Sequence, residues 1–209
     1  MEAVAARVAI HRPLAAEEAA RADFYALLAR LFHSAPDGEL LAQLASAPAI
    51  PDDGDPALAR AWRDLVDASS VMDADAAAEE YEALFVGVGK SAVSIYAGSY
   101  AGAMAVDHPR VRLQADLARL GLARRDGTTE PEDHFAGLFE MMRVLVAGGA
   151  GRGPATLEEQ KRIFDEHLRP SARKFFETTQ HAQRANYYAR IAAFGAAFLA
   201  LEIESFDLD

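Results

Sequence analysis

The sequence predicts an all-α protein, an irregular bundle of about eight or nine helices forming a single domain over residues 1–209. Three observations predict it. Apolar residues recur at steps of three and four along most of the chain, no stretch alternates convincingly at the period of two that a strand needs, and Gly and Pro fall between the periodic stretches. No internal repeat of fixed period occurs, which argues against a solenoid.

The first helix is expected over Ala16 to Phe32, where Phe24, Leu27, Leu28 and Leu31 share one face and Arg21, Asp23 and Arg30 the other. Ser34 to Gly38 punctuates it, a short helix follows from Asp37 to Ala45, and Pro48 to Pro56 reads as an acidic loop. Asp55 caps a helix with Leu58, Trp62, Leu65 and Val66 on one side. Asp75 to Val86 is a further helix that groups Tyr81, Leu84 and Phe85. From Gly87 to Ala105 the period stops, and a long loop, or a loop with a short turn, carries Val93, Ile95, Tyr96 and Tyr100. Val111 to Leu120 resumes the helical period, with Gly121 as the residue past its C-terminus. After a polar turn at Arg124 to Thr129, Phe135, Leu138, Phe139, Met142, Leu145 and Val146 form the strongest stripe in the chain, stopped by Gly148 and Gly149. The glycine-rich stretch over 148–154 reads as a hinge. Thr156 and Glu159 have capping-box spacing and open a helix to Leu168; Pro170 ends it and starts the next. The last helix runs from Gln183 to Leu201, and residues 202–209 read as a solvated acidic tail.

Composition excludes several functions. There is no Cys, so a disulfide, a thiolate zinc site, a Cys-held iron–sulfur cluster and a Cys nucleophile are ruled out. Twenty-one Lys and Arg against 32 Asp and Glu give a net charge of −11, and protonating all six His leaves −5, so a nucleic-acid partner is not expected and a basic peptide suits the field. No apolar run is long enough for a signal peptide or a membrane span, which makes a cytoplasmic protein the expectation.

Candidate chemistry is sparse. Gly87-Val88-Gly89-Lys90-Ser91-Ala92 matches a dinucleotide-binding spacing, but a helix precedes it and no βαβ pattern surrounds it, so it reads as a loop. None of the six His has a carboxylate three residues earlier, as a di-iron bundle needs, and no metal or other cofactor is expected. Glu130-Pro131-Glu132-Asp133-His134 stands at the head of the strongest helix. Acids and Pro suit a helix N-terminus there, and Thr129 with Glu132 has capping-box spacing. His134 would share the face of Leu138 and Leu145 beside three carboxylates, which marks a recognition site or a satisfied core histidine.

Glu130-Pro131-Glu132-Asp133-His134 followed by an apolar helix resembles the Glu-Pro-x-Asp-His signature of the TorD/DmsD/NarJ family of molybdoenzyme maturation chaperones. Tyr81-Glu82-Ala83-Leu84-Phe85 resembles the family's aromatic-x-x-Leu-Phe helix end, and Tyr96 to Tyr100 its aromatic loop, although the prolines usual after Leu-Phe are replaced by Gly87-Val88-Gly89-Lys90. The resemblance covers about residues 16 to 200. It implies an all-helical, cytoplasmic, non-enzymatic chaperone that binds the twin-arginine signal peptide or the apo form of a molybdoenzyme precursor. Such a chaperone holds back export while cofactor is inserted. The glycine-rich stretch over 148–154 permits helix swapping between protomers without requiring it, so a monomer and a domain-swapped dimer both stay open.

Carried onto this sequence, the resemblance suggests a peptide site in which Glu130 and Asp133 address guanidinium groups and His134 orients them. Pro131 belongs to the signature, and Tyr81, Leu84, Phe85, Tyr96 and Tyr100 would line an apolar part. Two other functions stay open on the residues alone: a nucleotide-handling accessory protein, and a helical adaptor in which residues 130–134 are only a cap.

Overall fold

A computed structural model describes residues 14–51, 54–87, 91–100, 109–122, 131–149 and 151–208. The described residues form nine α-helices: α1 (Ala16–His33), α2 (Gly38–Ala45), α3 (Pro56–Val71), α4 (Ala74–Tyr81), α5 (Pro109–Arg119), α6 (Phe135–Ala147), α7 (Leu157–Ile163), α8 (Arg169–Gln180) and α9 (Tyr187–Leu208). Among these residues only two isolated bridges have β geometry, so the expected all-α class holds.

Local chemistry sets most helix starts. The carboxylates of Asp37, Asp55 and Asp73 accept from backbone N–H groups of the first turns of α2, α3 and α4, and Thr156 Oγ1 accepts from Glu159 N at α7. The reciprocal half of that last box is replaced, because the Glu159 carboxylate accepts instead from Arg119 and Arg152.

Helix α1 packs along α6, while α9 packs against α3 and α8. Phe32 of α1 is fully buried where these layers meet, with Phe85, Phe139, Phe175, Phe176 and Tyr188 around it at centroid separations of 4.9–6.1 Å. Each such ring contributes about 1.5–3 kcal/mol by burial alone, and its edge-to-face contacts add to that. No described helix is long and apolar enough to cross a membrane.

The structure corrects four expectations. The helix predicted over Asp75 to Val86 is α helix only to Tyr81 and continues as a π-turn over Glu82–Val86. Pro170 does not end the preceding helix: the chain passes from α7 through a second π-turn, Phe164–Leu168, straight into α8 with Pro170 in its first turn. The wider turn accommodates a residue that cannot donate to the preceding turn. The glycine hinge is a bridged reversal, in which Gly149 and Arg152 exchange N–H···O bonds of 3.0 Å and Ala155 N donates to Leu145 O at 2.7 Å.

The fourth correction concerns the C-terminal stretch. Residues 202–208 are not a solvated tail but the last two turns of α9, with Glu202 and Phe206 buried. The spacing Leu199, Glu202, Phe206 continues the buried stripe, and Phe206 packs on Phe164 at 5.1 Å. Arg21, expected on the polar face of α1, turns inward to Glu202.

Helix α9 starts at Tyr187 rather than Gln183 because α4 caps it from outside. The Glu80 carboxylate accepts from the backbone N–H groups of Asn186, Tyr187 and Tyr188 at 2.8, 3.1 and 2.8 Å. An anion at a helix N-terminus satisfies orphan donors and the helix dipole together. Glu80→Ala should therefore lower the unfolding free energy by about 1–2 kcal/mol, with Glu80→Gln between it and the parent, measured by urea denaturation.

Candidate functional site

The end of the aromatic loop meets the turn before α6. Phe135 N donates to Ile95 O at 3.0 Å and Ala97 N to Asp133 O at 2.8 Å, and Tyr96 and His134 form an antiparallel bridge. The loop then makes one 3₁₀ turn over Ala97–Ser99 and closes on itself, with Tyr100 OH donating to Ser94 O at 2.8 Å.

Asp133 lies at the centre of this junction. Its side chain is 9% exposed, and its Oδ2 accepts from Gly98 N at 3.1 Å. A Cβ at position 98 would stand 2.9 Å from that same oxygen, so only glycine lets the loop backbone come this close to the carboxylate. On its other side Asp133 Oδ1 is 3.5 Å from Arg110 Nε of α5, and Glu132 Oε2 is 3.5 Å from Arg110 Nη2. Two adjacent carboxylates thus face one guanidinium.

His134 is the N-cap of α6; Thr129, which has capping-box spacing with Glu132, lies outside the described residues. His134 Nδ1 accepts from Ala136 N at 3.1 Å, which fixes the ring in the Nε2–H tautomer. The imidazole meets the Tyr96 ring edge to face at 5.4 Å. It therefore sits beside α6's stripe as a cap rather than within it, and Pro131 lies ahead of the helix, its carbonyl accepting from His134 N.

The nine expected site residues are not all brought together. Asp133, His134, Tyr96 and Tyr100 share one junction, Pro131 adjoins it, and Glu130 lies outside the described residues. Tyr100 reaches Phe135 and Phe175, each at 6.0 Å, and the Phe175 ring in turn lies 6.5 Å from Phe85, so Phe85 adjoins the junction through intervening core rings rather than directly. Leu84 and Phe85 are buried in the core and line no surface. Tyr81 OH donates to the carbonyls of His33 and Phe32, joining α4 to the end of α1. Glu132, Arg110 and Gly98 complete the junction without having been singled out as site residues. Glu132 stood inside the quoted signature, whereas nothing in the local pattern around Arg110 announces a partner more than twenty residues away.

A second charged group joins α5 to the π-turn before α8. Asp116, Glu166 and His167 bring their ligand atoms within 4.8 Å of one another, an arrangement the search at three-residue spacing missed because Asp116 comes from another helix. His167 Nε2 is 2.7 Å from Asp116 Oδ2, while Arg162, Arg119 and Arg112 address the remaining carboxylate oxygens at 2.8–3.5 Å. With three guanidinium groups on its oxygens, the set is an ion-pair network, poorly matched to a cation.

Burial also sets the titration of the tyrosines. It pushes the Tyr100 phenol up to about 12, and raises Tyr25, Tyr187 and Tyr188 as well. These groups stay protonated in the fold while an unfolded chain ionises near its ordinary value of about 10. Their contribution to stability is therefore complete below about pH 10 and is lost as pH rises above it. In a spectrophotometric titration of the folded protein, Tyr25, Tyr100 and Tyr188 should stay protonated at about pH 10, where an exposed tyrosine is half ionised.

Comparison with known proteins is consistent with this architecture. Residues 51–177 match the family model described as nitrate reductase delta subunit. A chaperone protein TorD of Ferrimonas balearica is 30% identical over 127 residues, 60% of this chain and 57% of the relative, so the matched stretch spans little more than half of the relative's length. The crystal structure of a protein from Archaeoglobus fulgidus assigned to redox enzyme maturation superposes with a TM-score of 0.57, covering 93% of this chain and 99% of that one at 16% identity. That last likeness is one of fold.

Proposed function

The chain belongs to the nitrate reductase delta subunit family, which takes in TorD- and NarJ-like chaperones, and from that premise we propose that it is a cytoplasmic redox enzyme maturation chaperone. Its client is the precursor of a molybdoenzyme catalytic subunit, bound through the twin-arginine signal peptide or the apo form. Its role is binding, with no catalysis of its own: it holds the precursor back from export while cofactor is inserted.

The observation that carries this reading is the pair Glu132 and Asp133, two largely buried carboxylates within 3.5 Å of a single guanidinium. A peptide with adjacent arginines needs such acceptors, pre-oriented and sheltered from water, because charge-assisted bonds gain strength as solvent is excluded. Gly98 N and the backbone of Ala97 hold Asp133 in place. Tyr96, half-buried over His134, offers an aromatic face for the peptide's apolar part.

Calorimetric titration with a synthetic peptide carrying Arg-Arg ahead of an apolar stretch tests the reading. Asp133→Asn keeps an acceptor for Gly98 N and should weaken binding by about tenfold or more, and a Lys-Lys peptide should bind poorly to the parent. His134→Asn retains a good N-cap and should leave the melting temperature nearly unchanged. If Glu132→Gln with Asp133→Asn bound the peptide as tightly as the parent, the site would be misplaced.

A further inference from the structure

We infer that the cleft between α2 and the α3–α4 corner is a second docking surface, and that its occupant is a basic, amphipathic helix of a partner protein. The inference goes beyond the proposed peptide site and shares no residue with it.

Helix α2 turns one face into the cleft, with Gly38, Leu41, Ala42 and Ala45 at helical spacing. Met72 and Ala74 of the corner stand opposite, and about 550 Å³ lies open between the two sides. A Cβ at Gly38 would meet nothing within 4 Å. The small residues leave room for another helix to come close, because interaxial distance follows side-chain size. Buried Leu41 and half-buried Met72 give that helix an apolar floor. Val71, the last residue of α3, is 84% exposed and carries the apolar surface past the edge.

The polar groups of the cleft are already engaged. Ser46 Oγ donates to Ala42 O, Ser69 Oγ to Leu65 O and Ser70 Oγ to Asp67 O. The Asp73 carboxylate accepts from Asp75 N and Ala76 N. Each hydroxyl has one proton and spends it inside its own helix, so a small polar ligand finds no hydroxyl donor there. An apolar side chain suits the space, and the surrounding charge decides what flanks it.

Between Arg63 and Lys90 the sequence has seven Asp and Glu and no Lys, Arg or His. Glu39 of α2, Asp67 of α3 and Asp75 of α4 are exposed on the three helices that form the cleft, and none of them is in an ion pair among the described residues. Asp37, by contrast, is paired with Arg30. Lys or Arg along the flank of a helix complements that rim, and the net charge of −11 draws such a helix in. An amphipathic helix seats apolar residues at i, i+3 and i+4 while its charges reach outward to the acids.

The experiment uses the full chain and a helical probe peptide of about 18 residues, Leu on one face and Lys on the other, followed by fluorescence anisotropy. Ala42→Trp fills the cleft from an exposed position without changing charge, and should weaken binding about fivefold or more. Asp67→Asn with Asp75→Asn should weaken it about three- to tenfold and flatten its salt dependence. Asp23→Asn with Glu158→Gln removes equal charge from α1 and α7 and should change it by less than about twofold. No binding, binding that Ala42→Trp leaves unchanged, or an equal loss with the α1 and α7 pair overturns the inference. The unmodified protein supplies a readout that needs no variant: the Met72 methyl signal in NMR should shift as probe is added, while those of buried Met141 and Met142 stay in place. A Met72 signal unmoved at saturation overturns the inference as well. If that signal shifts on raising protein concentration alone, a second copy covers the cleft and the partner helix is wrong. Glu132→Gln with Asp133→Asn should leave probe affinity within about twofold of the parent, so this surface and the peptide site fail separately; a parallel loss would place the probe before α6 and overturn the inference.

Discussion

Replacing Glu202 by Ala is expected to cost about 3–5 kcal/mol of unfolding free energy, the range for removing one member of a buried ion pair. Its side chain is 3% exposed and accepts from Arg21 Nε at 2.6 Å, Arg21 Nη2 at 2.8 Å and Tyr25 OH at 2.7 Å. Burial alone would lower the Arg21 pKa, but the hydrogen bonds and charge of Glu202 outweigh it and hold the guanidinium above its ordinary value. Without Glu202 that guanidinium, lying over the Phe206 ring, has lost its strongest partner and among the described residues keeps Glu18. A Tyr25 hydroxyl with no exposure loses its acceptor too. Exchanging Arg21→Met together with Glu202→Leu should restore much of the loss, because two apolar groups replace two desolvated charges. Urea midpoints at constant m-value measure both. A loss below about 1 kcal/mol for the single variant would mean that water reaches the cluster.

The second large effect belongs to Gly195. A Cβ there would stand 2.4 and 2.5 Å from two carbons of the Phe176 ring. That ring is itself wedged against Phe32, Phe139 and Phe175 with no exposure, so it has nowhere to go. Gly195→Ala gains up to about 1 kcal/mol of helix propensity and loses more than that to overpacking, for a net loss of about 1–2 kcal/mol. Gly195→Val should cost about 3 kcal/mol or more. Pairing Gly195→Ala with Phe176→Leu should recover part of the loss, and thermal melts of the three variants read the coupling directly. If Gly195→Ala raised the melting temperature, α8 and α9 would have to sit further apart than described.

Features carried by short-range periodicity or capping were legible in the sequence. The stripe from Phe135 to Val146 lies on α6, Asp55 caps α3 and Thr156 caps α7, because each depends on residues three or four apart. The π-turns were not legible, since a widened turn disturbs the apolar spacing by only one residue. Glu202 was misread because an acidic composition looks solvated, and its partners lie near the other end of the sequence. The candidate site was half legible. Residues 131–134 marked the place, but His134 turned out to cap a helix, Leu84 and Phe85 to fill the core, and Arg110 to hold the carboxylates through a contact that no single sequence discloses.

The Arg21–Glu202 pair joins residues 181 positions apart, and this has a consequence during synthesis. At about 5–20 residues per second, Arg21 is made roughly 10–35 s before the carboxylate that neutralises it exists. For that interval the inward face of α1 carries a cation and the Tyr25 hydroxyl without their partner, and α1 cannot seat fully on a nascent chain. Locking of the first helix is therefore a late event, and a nascent chain stalled while Glu202 is still inside the exit tunnel should be far more sensitive to protease along α1 than one stalled on a C-terminal linker long enough to expose Glu202.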